Sequence, residues 1–447
     1  MEWAKLLSPL RLGEKNTSEV TASHRTRFEQ DYDRIIFSHP FRSLQDKTQV
    51  FPMPEDDFVH TRLTHSLEVS SVGRSLGRTV GEFIIKSHPS LASGGLSPYD
   101  FGAIVATACL THDIGNPPFG HAGESTISDF FKNDPAGQFF KDHVPDIDWS
   151  DLTNFEGNAQ GFRILTDPEY KGLKCTAATL ATFTKYPRAS NINSTSSRKS
   201  QKKYGFYQSN LSEFQEVAAT CGLLPLGEHS WIRHPLAFLV EAADDICYLI
   251  IDLEDGTRLG LIPFEQTRDL LSEIIGDRYD PGKLREINSL DQKLGTLRAL
   301  AIQQLIQDTA NVFLTLEKDL LTGTFDQALT DQLPYANTLK TITKLSIEHI
   351  YRSKQVIQRE AMGLEVLSNI LRQFTTAMFQ VVFNAQHSTS HHQTIYRLLP
   401  GNVRHQLERP AITIYQGVRI ILDFVAGMTD RSAVKMHRIL TGQITVF

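Results

Sequence analysis

Residues 101–112, FGAIVATACLTH, are almost entirely apolar up to the histidine that closes them, and Asp113 follows at once. A helix with so little polar surface has to be buried on most sides. Gly115, Pro117 and Pro118 then prevent it from continuing. The chain is thereby committed to a buried helix whose end carries two adjacent side chains able to bind metal. A carboxylate in such surroundings is costly unless it is paired or metal-bound, so His112 and Asp113 mark a candidate site.

Two other stretches share this character. Residues 61–86 place Leu63, Leu67, Val69, Val72, Leu76, Val80 and Phe83 at helical spacings, with His65 among them. Residues 234–254, HPLAFLVEAADDICYLIIDLE, predict a third apolar helix, with Pro235 in its first turn and Gly256 just beyond its end. Asp244 and Asp245 interrupt its apolar surface. Asp244, Tyr248 and Asp252 recur every four residues and share one face, whereas Asp245 points about 100° away. A pocket against that face selects Asp244. His65, His112, Asp113 and Asp244 then offer two imidazoles and two carboxylates. That mixed set suits one divalent ion of Mn, Fe, Co, Ni or Zn and tolerates Mg. It is unlike a thiolate-rich structural zinc site.

The rest of the chain is consistent with a large helical protein. Of its 447 residues 40% are hydrophobic and 21% charged, an ordinary globular composition. The net charge of -6 gives no basic stripe for nucleic acid, though a local basic pocket can still gather phosphates. Cys109, Cys175, Cys221 and Cys247 form no CxxC pair and read as reduced thiols. No apolar leader and no run of ~18–20 apolar residues is present, so a soluble, cytoplasmic protein without membrane partners is expected. Further helices are expected over 264–276, 283–325, 336–376, 411–426 and 430–440. Loops are expected over 132–151 and 187–204, with short strand pairs near Gln49–Phe51 and around Tyr204–Tyr207. The fold class is all-α, mainly helical with few short strands. Residues 1–260 read as a catalytic core with an N-terminal substrate-binding segment. Residues 261–447 read as a helical region packed on it, completing the site and supplying oligomer interfaces. His387, His391 and His392 are separated by Ser and Thr and read as a solvated loop, not a metal site.

The order His…His-Asp…Asp resembles the HD superfamily. RSLQDKTQVFP (42–52), TRLTHSLEV (61–69), THDIGNPPFGHAGE (111–124), NFEGNAQGFRIL (154–165), EAADDICYLIIDLED (241–255) and DFVAGMTDR (423–431) resemble, in order, the deoxyguanosinetriphosphate triphosphohydrolases of that superfamily. The resemblance spans about residues 24 to 440. It implies a helical HD fold with one divalent ion per subunit. It also implies hydrolysis of dGTP, or of other dNTPs, to the deoxynucleoside and inorganic triphosphate. The family's metal ligands fall on His65, His112, Asp113 and Asp244, and its catalytic pair on His121 and Glu124. Related enzymes form hexamers or tetramers, and a dNTP or single-stranded DNA is a candidate effector.

Chemistry assigns the remaining roles. His121 and Glu124 lie three apart at a helix start, so the carboxylate can orient the imidazole for proton transfer. Arg62, one turn before His65, can clamp phosphate, with Lys185 and Arg188 of TKYPR as further candidates and Tyr186 for stacking. Tyr248 is placed under the deoxyribose, where it crowds out a 2′-hydroxyl, and Asp252 at the sugar 3′-hydroxyl. Gln49 sits near the base by resemblance, and its amide can read a base edge. Asn116 joins the substrate-binding set. Asn154 and Asn158 suit turns equally well. The competing readings are an HD nucleotidase or phosphodiesterase acting on another nucleotide, and an inactive nucleotide-binding regulator.

Overall fold

The three apolar stretches form the helices Arg62–Ser87, Pro98–Thr111 and Pro235–Arg258, which pack against one another at the centre of the molecule. This computed structural model describes residues 1–15, 24–49, 60–168, 173–191 and 197–443. Each central helix starts where its sequence specifies. The Thr61 hydroxyl accepts the Thr64 amide, and the Asp100 carboxylate accepts the Ser97 amide at 2.9 Å. Pro235 occupies the first turn of the third helix, behind the His234 cap.

A glycine row allows the first two helices to cross closely. Gly73, Gly77 and Gly81 recur every four residues and face Pro98–Thr111. A Cβ at Gly77 would lie 2.7 Å from the Phe101 carbonyl oxygen, and one at Gly73 would lie 2.4 Å from Cys109 Sγ. No side chain fits there, so the two backbones touch and His65 is brought against His112.

Two apolar cores organise the rest. The larger draws on residues between Trp3 and Ile350. The smaller combines residues 119–155 with 366–433, so the C-terminal segment packs partly with each. Across the junction Arg163 grips Asp423 through Nε and Nη2 at 2.9 and 2.7 Å, tying the Gly157–Thr166 helix to Ile414–Ala426. Such paired, bidentate geometry is how a buried charge is tolerated.

The described residues are helical almost throughout, as expected. The one two-stranded sheet pairs Pro225–Gly227 with Ser230–Trp231, away from either expected strand site. Thr48 makes only an isolated bridge to Thr61, and Phe206 one to Ala189; Val50 and Phe51 lie outside the described residues. The 132–151 segment is not a loop. Asp134 caps Pro135–Gln138, a 3-10 turn follows at Phe139–His143, and Asp146–Thr153 is helical with acidic residues in its first turn. The stretch 283–325 divides into Pro281–Glu286, Leu290–Thr315 and Glu317–Thr322. The stretch 336–376 is interrupted by a π-helical turn at Ile347–Tyr351. Gly256 does not end its helix, which runs on to Arg258. A Cβ there would lie 2.7 Å from Ile350 Cδ1, so this glycine serves close packing and is not a stop. The His387 region is partly helical: Thr389 caps Ser390–Arg397 through His392. No helix of the described residues is long and apolar enough to cross a membrane.

Replacing Gly77 with Val should force the crossing apart and destabilise the fold by about 1–3 kcal/mol. Thermal unfolding checks this; an unchanged midpoint would show that the helices can separate without cost.

Candidate metal centre and active site

Each central helix delivers part of one cluster. Arg62–Ser87 supplies His65, the end of Pro98–Thr111 supplies His112 and Asp113, and Pro235–Arg258 supplies Asp244. His65 Nε2 and His112 Nε2 lie 3.3 and 3.4 Å from Asp244 Oδ1, and His112 Nε2 lies 3.6 Å from Asp113 Oδ1. Ligating atoms of His65, His112 and Asp113 all fall within 4.8 Å of one another. The His112 ring stands with Nδ1 2.7 Å from the Cys109 carbonyl, which fixes Nδ1–H as the donor and leaves the Nε2 lone pair facing the cluster. Two neutral-capable imidazoles and two ionised carboxylates, oriented by neighbours, fit a divalent ion.

The helix period separates the two aspartates of the third helix as expected. Asp244 turns into the cluster, while Asp245 accepts the Thr330 hydroxyl at 2.8 Å on another face. Burial, together with Glu241 and Asp244, pushes Asp245 up to about 7.

Cations surround the carboxylates. Lys185 Nζ meets Asp244 Oδ2 at 2.7 Å, and Arg62 Nη1 meets Asp113 Oδ2 at 2.7 Å. Asn116 Nδ2 donates to Asp113 Oδ1 at 2.5 Å. Burial opposes ionisation of Asp113, but Arg62 and the two imidazoles hold its carboxyl well below the usual range. Tyr186 follows Lys185 into the same cavity. Arg188 is buried outside it.

His121 begins the His121–Asn133 helix, immediately after Gly120 at φ 60°. Its Nδ1 lies 2.7 Å from Glu124 Oε2, and the Gly157 amide donates to Glu124 Oε1 at 2.7 Å. Glu124 is thus the buried anchor, while the His121 side chain is 83% exposed at the mouth of the cavity. The bond from Glu124 raises the imidazole above its ordinary pKa.

These groups line one cavity of about 420 Å³, together with Gln49 and Tyr248. Gln49 Oε1 is buried without a hydrogen-bond partner, an acceptor facing an unfilled space. Asp252 does not line the cavity. It accepts the Tyr351 hydroxyl, and Tyr351 stacks on Tyr248 with ring centres 5.5 Å apart. Burial pushes Asp252 up to about 7. Asn158 lines the cavity, whereas Asn154 donates to the Ser150 carbonyl at its own helix end.

Sequence reasoning did not find Lys203, Glu156, Phe119, Tyr351, Val356 or Glu360, which also line the cavity. Lys203 is 3.2 Å from Glu156. It was one of several lysines in a polar run, with nothing local to distinguish it. Tyr351, Val356 and Glu360 come from the C-terminal region, whose helical pattern carried no chemical signal.

If His112 is a ligand, His112→Ala should reduce bound divalent metal from about one per chain to near zero, because affinity depends on the complete donor set. Elemental analysis with far-UV circular dichroism checks this; full metal content in the variant would remove His112 from the set.

Comparison with known proteins agrees with the geometry. Residues 62–147 match the HD domain family, and residues 332–439 match the phosphohydrolase-associated domain. The chain is 42% identical to a deoxyguanosinetriphosphate triphosphohydrolase-like protein of Synechocystis sp., over 99% of each chain. It is 38% identical to one of the same description from Pseudomonas aeruginosa, again over 99% of each. It is 32% identical to the deoxyguanosinetriphosphate triphosphohydrolase of Yersinia enterocolitica, over 92% of this chain and 93% of that one. A phosphohydrolase with a divalent-metal site follows, and the chain belongs to the deoxyguanosinetriphosphate triphosphohydrolase-like family of HD-domain proteins.

Proposed function

We propose that this chain hydrolyses deoxynucleoside triphosphates, dGTP foremost, to the deoxynucleoside and inorganic triphosphate. One observation carries the reading. A single cavity is lined by the His65, His112, Asp113 and Asp244 donors, by the cations Arg62, Lys185 and Lys203, and by the His121–Glu124 pair. The names of the relatives point to the same substrate.

The products require that water oxygen bond to the α-phosphorus and that the bond from phosphorus to the sugar 5′-oxygen break. A divalent ion held by the four donors supplies charge neutralisation and water activation when bound. Arg62, Lys185 and Lys203 bind the polyphosphate and offset its charge. His121, held by Glu124, donates a proton to the departing 5′-oxygen. Tyr248, backed by Tyr351, packs against the deoxyribose and leaves no room for a 2′-hydroxyl. Asp252 supports that wall through Tyr351 in place of the direct sugar contact expected for it. Gln49 is left with an open acceptor for the base.

Product analysis decides the activity. With Mn or Mg, the four dNTPs and four NTPs are supplied singly and in pairs, with and without single-stranded DNA. Triphosphate release is expected, strongest with dGTP; orthophosphate or pyrophosphate alone would overturn the reading. Acceleration by a second nucleotide or by DNA would establish an effector. The homo-oligomeric state, expected to be a tetramer or hexamer, is read from light scattering of the same preparation.

The acid role fixes a pH dependence. His121 is raised, so the protonated form persists above about 6.5 and is lost as pH rises through the raised value. The basic limb of kcat is therefore expected above pH 6.5. Glu124→Gln should move it downward, and His121→Ala should cost roughly a hundred-fold or more in kcat. A limb that stayed in place in Glu124→Gln would assign it to another group.

Tyr248→Ala should raise GTP turnover relative to dGTP; an unchanged ratio would remove Tyr248 from sugar discrimination.

A further inference from the structure

The turn that presents His121 is held by the far end of the chain. Phe119 has φ 64° and Gly120 φ 60°. A phenylalanine occupies that left-handed region only where its surroundings impose it. Two contacts impose it here. The buried Phe119 ring lies so close to Gly363 that a Cβ on that glycine would be 2.8 Å from it. The Phe119 amide donates to Asp430 Oδ1 at 2.9 Å.

Asp430 does more than hold one amide. Its Oδ2 accepts the Thr48 amide at 3.3 Å and the Thr48 hydroxyl at 2.8 Å. Lys47 crosses the same junction, donating to the Asn116 carbonyl at 2.6 Å and to the Ala426 carbonyl at 2.8 Å. Three segments are stitched together. Residues 47–48 lead to Gln49, residues 116–120 lead from Asp113 to His121, and residues 426–430 belong to the phosphohydrolase-associated region. The carboxylate is 3% exposed, and the Phe119 amide, the Thr48 amide and the Thr48 hydroxyl are among its donors.

We propose that Asp430 is a positioning residue for His121. Its carboxylate, supplied by the C-terminal region, holds the Phe119 amide and so fixes the Phe119–Gly120 turn that aims the imidazole into the cavity. The proposal rests on the reading of His121 as the proton-transfer group. It explains why a helix-capping turn of the HD domain is built around a residue some 300 positions away (|i−j| 311). Asp430→Asn is nearly isosteric but replaces one acceptor oxygen with an amide that cannot accept, so either Phe119 or Thr48 loses its partner.

The test uses the full chain loaded with Mn. Asp430→Asn is expected to lower kcat for dGTP by roughly a hundred-fold, the scale of a small misplacement of a reacting group. KM should stay within about threefold, as for an interaction made only in the transition state. In a His121→Ala background the same substitution should change kcat no further, because no imidazole remains to be aimed. Equal fold-losses in both backgrounds would overturn the proposal.

A second readout needs no turnover. His121 faces Glu124, Lys203 and Arg62, and its titration can be followed by NMR of histidine-labelled protein. In Asp430→Asn the midpoint should fall toward about 6.5 as the imidazole leaves Glu124; an unmoved midpoint would also overturn the proposal. If the unaltered chain released triphosphate from no dNTP, the proposed function would fail, while the titration would still decide the link between Asp430 and His121. Where Asp430→Asn does not yield folded protein, Asp430→Glu carries both measurements. It keeps the carboxylate and displaces it by one methylene, and the same loss confined to kcat is expected.

Discussion

The helices Arg62–Ser87 and Pro98–Thr111 can touch only because Gly73, Gly77 and Gly81 leave no side chain between them. That contact puts the rings of His65 and His112 5.3 Å apart. A single methyl group in the row would meet the Cys109 sulfur, the Phe101 carbonyl or the Phe101 ring and separate the two histidines. The third helix, Pro235–Arg258, then closes the cluster with Asp244. Compensating charge gathers around this point, because placing the buried Asp113 and the partly buried Asp244 together obliges the fold to bring it. Arg62 and Lys185 provide it.

Those same cations give the site its electrostatic economy. Lys185 and Arg62 stabilise Asp244 and Asp113, and they also line the cavity. Donors and cations are therefore interdependent, and removing one side would leave the other as uncompensated buried charge. The His121–Glu124 pair has anchors of its own. Glu124 is anchored on the Gly157 amide, and the turn before His121 is anchored on Asp430. The His121 turn thus depends on the C-terminal region, and the His65, His112, Asp113 and Asp244 cluster on the central helices.

Much of the site was legible because its residues lie on strongly periodic, apolar helices. The period alone separated Asp244 from Asp245, and the structure sends the second to Thr330. Asp252 shows where that logic stops. Its position on the shared face was read correctly, but Tyr351 covers it, and no local pattern announces a tyrosine from a π-helical turn about a hundred residues away (|i−j| 99). Gly256 shows the converse. Its sequence position suggests a helix stop, yet contact with Ile350 makes it a packing residue inside the helix.

The sequence by itself determined the helical class, the three buried helices and the residues of the His–Asp cluster and the His–Glu pair, since these follow from local periodicity, helix-ending residues and side-chain chemistry. Only the tertiary structure decided that Lys203 joins Lys185 in the cavity, that Tyr351 backs Tyr248, and that Asp430 holds the turn before His121. Each of these is a contact between segments far apart in the chain. Such a contact is specified by the packing of whole helices, and no spacing within either segment encodes it.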